Sequence, residues 1–264
     1  MTAPQNVFTD LAEETREFDR LLYGLSASQW TIPTPAPGWT IAHQVGHLAS
    51  VFSMAGLAAS APDKFRSLVA TLSDNFEANV AAALAPYMKL PADALLSAWR
   101  GEHVAAEQAL AAVPQGTAVP WLVRPLPAAV LTCAGMTELF GHGQDIADAL
   151  GTRIERTDRI RHVAQFGVLV WDFGYLGRNM TPPNVRFCYE LTAPSGEAWT
   201  FGPPDGSQRI TGPAEDFCLL VTRRRHRDDL ALTASGADAS RWLDIAQAYR
   251  GSPGPGREPG QFAA

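Results

Sequence analysis

Residues 128–150, AAVLTCAGMTELFGHGQDIADAL, read as one long helix that stops at Gly151, and they constrain the fold more than any other stretch. Glu138, His142 and Asp145 stand at i, i+4 and i+7, so at about 100° per residue they project within about 60° of one another. Leu131 and Ala134 lie close to the same direction, while Leu139, Ile146 and Leu150 lie on a different side. A titratable stripe beside apolar residues on a long helix is costly unless its groups are paired, solvated or metal-bound. The rest of the chain has to supply one of those three environments.

Three more helices are written in the same way. Phe8, Leu11, Phe18, Leu21, Leu22 and Leu25 recur at helical spacing and predict a first helix over about 5–27. After a turn rich in Pro and Thr, Thr40 caps a second helix with Ile41, Val45, Leu48 and Phe52 along one side. Residues 62–90 are helical but Ala-rich and weakly patterned, a long connection with one or two helices of its own. Past Pro91 a clearer helix carries Leu95, Leu96, Trp99, Leu110 and Val113, until the prolines of VPQGTAVPWLVRPLP break it. Four main helices with one long crossover predict an all-α four-helix bundle over residues 1–155.

The pattern then changes. A helix over 158–173 precedes VRFCYELTAPSGEAWTFGPPDGSQRITG, whose alternating runs and Pro-Ser-Gly and Pro-Asp-Gly turns predict a meander of short strands. PAEDFCLLVTRRR and ASRWLDIAQAYR predict two further helices, the first with acids at its start and arginines at its end. A small α+β domain over 156–257 and a flexible Gly/Pro-rich tail over 258–264 complete the expected multi-domain layout.

With 46% hydrophobic and 18% charged residues the chain has ample core for a globular protein, and its net charge of −6 argues against a nucleic-acid surface. The N-terminus lacks the basic start and apolar run of a signal peptide, and no stretch approaches the ~18 apolar residues of a membrane span. Cys133, Cys188 and Cys218 are odd in number and widely spaced, which predicts buried free thiols. The expected protein is therefore cytoplasmic, with neither nucleic acid nor membrane as a partner.

His43 and His47 stand four apart on the second helix, on a side that points away from its apolar stripe. Taken alone they read as a surface pair, and Glu138/His142 as a solvated or salt-bridged face. Taken together, two helices of one bundle each bring a histidine four residues from another possible ligand. Three N/O ligands with an open fourth position describe a catalytic zinc-type site. The residue pattern leaves both readings open.

GWTIAHQVGHLA followed by ELFGHGQDIADALG resembles the DinB-like metal-binding bundles, in particular their mycothiol-dependent maleylpyruvate isomerase branch. FCYELTAPSGEAWTFGP, ITGPAEDFCLLVTRRRH and ASRWLDIAQAYRG look like the small sterol-carrier-related domain that accompanies this bundle in many actinobacterial proteins. The resemblance implies His47, Glu138 and His142 as ligands of a divalent metal, most readily Zn, with Ni, Fe or Mn as alternatives. His43 is then not a ligand; it lines the mouth of the site or hydrogen-bonds nearby. The resemblance also implies mycothiol as cosubstrate, and a bound metal would favour its thiolate.

Two reactions fit such a thiolate: isomerisation by addition, rotation and elimination, or S-transfer onto an electrophilic carbon. Arg124 and the run Arg223, Arg224 and Arg225 are candidates for holding a small, anionic or natural-product substrate, with a solvated helix terminus as the plain reading of TRRRHR. Asp145, one turn from His142, orients a ligand or makes a surface contact. The alternatives are a metal-hydroxide enzyme of secondary metabolism without thiol, or a non-catalytic small-molecule or lipid-binding protein; a homodimer is compatible with each.

Overall fold

The computed structural model describes residues 6–122 and 124–262. The chain divides into two compact units, Met1–Arg153 and Ile154–Ala264.

In the first unit, α1 (Val7–Leu22) starts at Asn6, whose side chain accepts from the Phe8 N–H at 3.0 Å and satisfies one amide that a helix start leaves open. It stops short of the expected residue 27 because Tyr23 is extended and Gly24 takes φ 74°. Thr40 caps α2 (Ile41–Ser60). The crossover carries α3 (Pro62–Val69) and α4 (Phe76–Leu84) before α5 (Ala92–Ala111). A two-residue hairpin, β1 (Ala118–Val119) with β2 (Leu126–Pro127), leads into α6 (Ala128–Leu150), which ends at Gly151.

Helices α1, α2, α5 and α6 form the bundle: α2 packs against α5 and α6, and α1 closes the other side against the same two. The long crossover lets α5 run parallel to α2, with Phe52 against Trp99 (ring centroids 5.2 Å) and Gly56 beside Ala106. Helix α6 runs antiparallel to α2. Trp99, fully buried, is gripped edge-on by Phe18 and Phe52, and its Nε1–H donates to Asp19 at 3.0 Å. Val119, Trp121, Leu122 and Leu126 seal the end of the bundle formed by Ala55, Ala58, Ala128 and Leu131.

In the second unit the helix expected over 158–173 is interrupted. A 3-10 turn (Asp158–Ile160) and α7 (Arg161–Leu169) end where Val170 leaves helical geometry, and α8 (Phe173–Leu176) follows. The sheet contains β3 (Phe187–Thr192), β4 (Ala198–Phe201), β5 (Gln208–Pro213) and, beyond α9 (Ala214–Val221), β6 (Thr233–Ser235); α10 (Ala237–Ile245) comes last. Its order is β4-β3-β5-β6, so it is not the expected meander: β5 returns parallel to β3 on the side away from β4. Strand β3 is buried at Phe187, Cys188, Tyr189 and Leu191, and such a strand sits stably only with neighbours on both sides. Tyr189, Phe217 and Trp242 pack their rings at 5.5–5.9 Å to form this unit's core.

All three cysteines are free and buried, as expected. Tail residues 258–262 lie against the second unit, with the Gly260 N–H donating to Asp229 at 2.8 Å and Arg225 over the Phe262 ring; residues 263–264 lie outside the described residues. Among the described residues no helix is long and apolar enough to cross a membrane.

Candidate metal centre

The antiparallel packing of α2 on α6 brings His47 to Glu138 and His142. Glu138 Oε2 lies 3.5 Å from His47 Nε2 and 3.2 Å from His142 Nε2, and one donor atom from each residue falls within 4.8 Å of the others. Two donors at about 2.0–2.1 Å from one tetrahedral ion stand about 3.3 Å apart, so this donor set fits a single divalent cation. The imidazoles are largely covered, at 16% and 13% side-chain exposure, while the carboxylate keeps 31%. The cluster is thus reachable without being washed by solvent. Burial on its own would push the Glu138 carboxyl up, but the hydrogen bonds and charge of His142 and His47 hold it far below the usual carboxylate range.

Gln44 sets the tautomer of His142. Its Nε2 donates to Thr34 Oγ1 at 2.8 Å and to Asp145 Oδ2 at 3.4 Å, and Thr34 in turn donates to the Trp39 carbonyl at 3.0 Å. With both amide protons directed at acceptors, Gln44 Oε1 faces His142 Nδ1 at 2.5 Å and accepts its proton. When the ring is neutral, its lone pair is then on Nε2, the atom that faces Glu138. Gln44 and Asp145 are both fully buried. Asp145 is thus buried behind Gln44 and makes no surface contact there.

The Pro33–Thr40 turn carries Trp39 over the histidines. The Thr34 N–H donates to the Trp39 carbonyl at 2.7 Å and closes the turn. The indole stacks on His142 (5.9 Å, 18°) and meets His47 edge-on at 5.3 Å. His43 stands apart from the cluster. Its Nδ1 lies 2.7 Å from Thr40 Oγ1 and accepts the Thr40 N–H at 3.2 Å, tying down the start of α2. Burial lowers its pKa.

Of the remaining expected residues, Arg124 belongs to the first unit and Arg223, Arg224 and Arg225 to the second. Arg124 is exposed in the loop between β1 and β2, and that hairpin packs beside Ala58, about 16 Å along α2 from His47. Arg223, Arg224 and Arg225 follow α9 in the second unit. They are half-buried, which a merely solvated helix terminus is not. Arg224 donates to the Thr222 carbonyl at 2.6 Å and Arg225 to that of Arg224 at 2.7 Å. Thr34, Trp39 and Gln44 were not among the expected site residues. The one signal for Gln44 is its position three before His47, on the same side of α2, within GWTIAHQVGHLA.

Two Mycobacterium tuberculosis proteins, from strains CDC 1551 and H37Rv and each described as uncharacterized, are 42% identical to this chain over 257 residues. Each match covers 97% of this chain and 100% of the relative. Crystal structures of a mycothiol-dependent maleylpyruvate isomerase and of a histidine-to-alanine mutant of that enzyme superpose with a TM-score of 0.54 at 15% identity, covering 81% of this chain and 86% of theirs. That likeness is one of fold. Residues 187–235 match a family described as wyosine base formation. Residues 11–147, over half of the chain and including Gln44 and all three clustered side chains, match the model described as mycothiol maleylpyruvate isomerase N-terminal domain, and to that family the chain belongs.

Proposed function

We propose that this protein is a metal-dependent enzyme that uses mycothiol, catalysing S-transfer to, or isomerisation of, a small electrophilic substrate. The observation that carries the reading is the His47/Glu138/His142 cluster, with the proton of His142 drawn to the side facing Gln44. Membership of a family whose description names mycothiol, and the fold shared with an isomerase that depends on it, support the choice of thiol. A donor set of two imidazoles and one carboxylate suits zinc best among common divalent ions. Bound here, such an ion supplies the positive charge that favours the thiolate form of an incoming thiol at neutral pH.

The protein's own groups do the rest. His47 and His142 as neutral imidazoles and Glu138 as a carboxylate would leave a bound dication at a formal charge of +1, complementary to one thiolate. Glu138 brings the negative charge, its carboxyl held below the usual carboxylate range by the neighbouring His142 and His47. Trp39 covers one face of His142 and abuts His47, and Asp145, Thr34 and Gln44 hold His142 in one tautomer. His43, with Nδ1 occupied by Thr40, presents its other nitrogen as a proton donor one turn before His47.

Equilibrium dialysis against zinc followed by elemental analysis tests the ligand set. One ion per chain is expected in the parent and in His43→Ala, with most of it lost in His47→Ala and His142→Ala. Full retention by His142→Ala contradicts the reading.

A further inference from the structure

The second unit gathers five arginines around one cavity. A cavity of about 420 Å³ is lined by Arg178, Arg223, Arg225, Arg227 and Arg257, with Asp228 and Asp244 as its only acids among the described residues. Both acids face other partners: Asp244 accepts from Arg227 at 2.5 Å, and Asp228 lies 3.5 Å from His226. Arg178 is anchored through Nη1 to the carbonyls of Gly174 (2.8 Å) and Ile245 (3.0 Å). Arg223 makes no ion pair among the described residues, and its Nε is buried without a hydrogen-bond partner.

Three costs converge on Arg223. The first is the orphaned donor, since a buried N–H without an acceptor destabilises the fold. The second is repulsion: burial and then the charge of Arg223 lower the pKa of Arg178, so two guanidiniums that both stay charged are held close together. The third lies in the backbone. Arg223 follows the end of α9 with φ 58°, the left-handed position that glycine normally fills and where an L side chain is strained. A Cβ on Gly256 would stand 2.5 Å from Arg223 Nη2, so the 255–257 loop closes directly on the guanidinium. Strain kept at one residue, against like charge and without a structural partner, is typical of a ligand clamp.

We propose that this cavity binds a small oxyanion, the phosphate of a phosphorylated metabolite or the carboxylates of a dicarboxylate, gripped by Arg178 and Arg223. Such a ligand supplies the acceptor that Arg223 lacks and the negative charge that relieves the pair, and a planar guanidinium fork suits either oxyanion. The volume has room for more than a bare ion. The inference rests on the second unit alone and stands independently of the metal centre.

The test is thermal unfolding and calorimetric titration of the full chain with inorganic phosphate and with malonate, each against chloride at matched ionic strength. Saturable stabilisation by either anion is expected; the stronger response identifies the phosphate or the dicarboxylate class. Arg223→Gly should melt at the parent's temperature or above, because glycine accepts φ 58°, yet lose the anion-dependent shift. Arg223→Lys, which keeps the charge but not the fork, should bind about tenfold more weakly. His142→Ala should keep the full shift, which separates this site from the metal centre. A response no larger than chloride's, an Arg223→Gly variant that keeps the shift, or one that is destabilised would overturn the proposal.

Discussion

Replacing Gln44 with leucine keeps the volume of a fully buried side chain but removes its hydrogen bonds to His142 (2.5 Å), Thr34 (2.8 Å) and Asp145 (3.4 Å). His142 loses the acceptor that draws its proton to Nδ1, so the ring is free to turn or to carry the proton on Nε2. Both changes weaken a ligand without touching the ligand set. Outer partners of this kind are worth about 10–100-fold in metal affinity, or roughly 1.4–2.7 kcal/mol. Leaving the His142 N–H without its acceptor adds about 1–3 kcal/mol of lost stability to the metal-free protein. Competition against a chromophoric chelator gives the zinc Kd, and urea unfolding of the metal-free protein gives the stability term separately. A folded Gln44→Leu protein whose Kd lies within twofold of the parent's would refute the claim that Gln44 holds His142 in its ligating tautomer.

Trp99→Ala removes a fully buried ring that packs on Phe18 and Phe52 and bonds Asp19, and should cost about 3–5 kcal/mol in urea unfolding. Among the described residues no hydrogen bond or ring contact joins Trp99 to the clustered residues, so the zinc Kd of the folded Trp99→Ala protein should stay near the parent's, unlike that of Gln44→Leu. At pH 8 a thiol-specific chromogenic reagent should react with all three cysteines within minutes in denaturant but only slowly in the native protein. Burial pushes Cys133 up to about 12 and Cys218 higher still, so neither offers a thiolate at that pH.

The bundle is legible in the sequence because its long helices carry their own boundaries: Thr40 before α2, Pro91 before α5, Gly151 after α6. The metal cluster is only half legible. Counting from Ile41, Val45, Leu48 and Phe52 assumes that α2 buries a single face, which puts His47 outside the core. Helix α2 is packed by α5 and α6 and covered by α3 and α4, so Gln44, Gly46 and Ser50 are buried as well and a second inward face exists. Gln44 lies on the side that meets His142, whereas Gly46 faces Leu84 and Tyr87. Gln44 escapes a reading by residue type because a lone glutamine on a helix is usually solvated; only its three-residue offset from His47 points to the site. Arg124 fails for a different reason: proximity to the start of α6 in sequence places it at the far end of α6 from the cluster. In the second unit, alternation and turns predict strands but not edges. The parallel pairing of β5 with β3 follows from how deeply β3 is buried, a property of the finished sheet.

The central claim is that His47, Glu138 and His142 hold one divalent ion that an incoming thiol meets directly. Titration of the cobalt(II)-substituted protein with mycothiol, followed by absorption spectroscopy, tests it most directly. The account predicts a saturable change in the cobalt bands with one thiol per chain, accompanied by proton release and reversed when a chelator removes the metal. Cobalt bands unchanged at saturating mycothiol, and equally unmoved by simpler thiols, would contradict it.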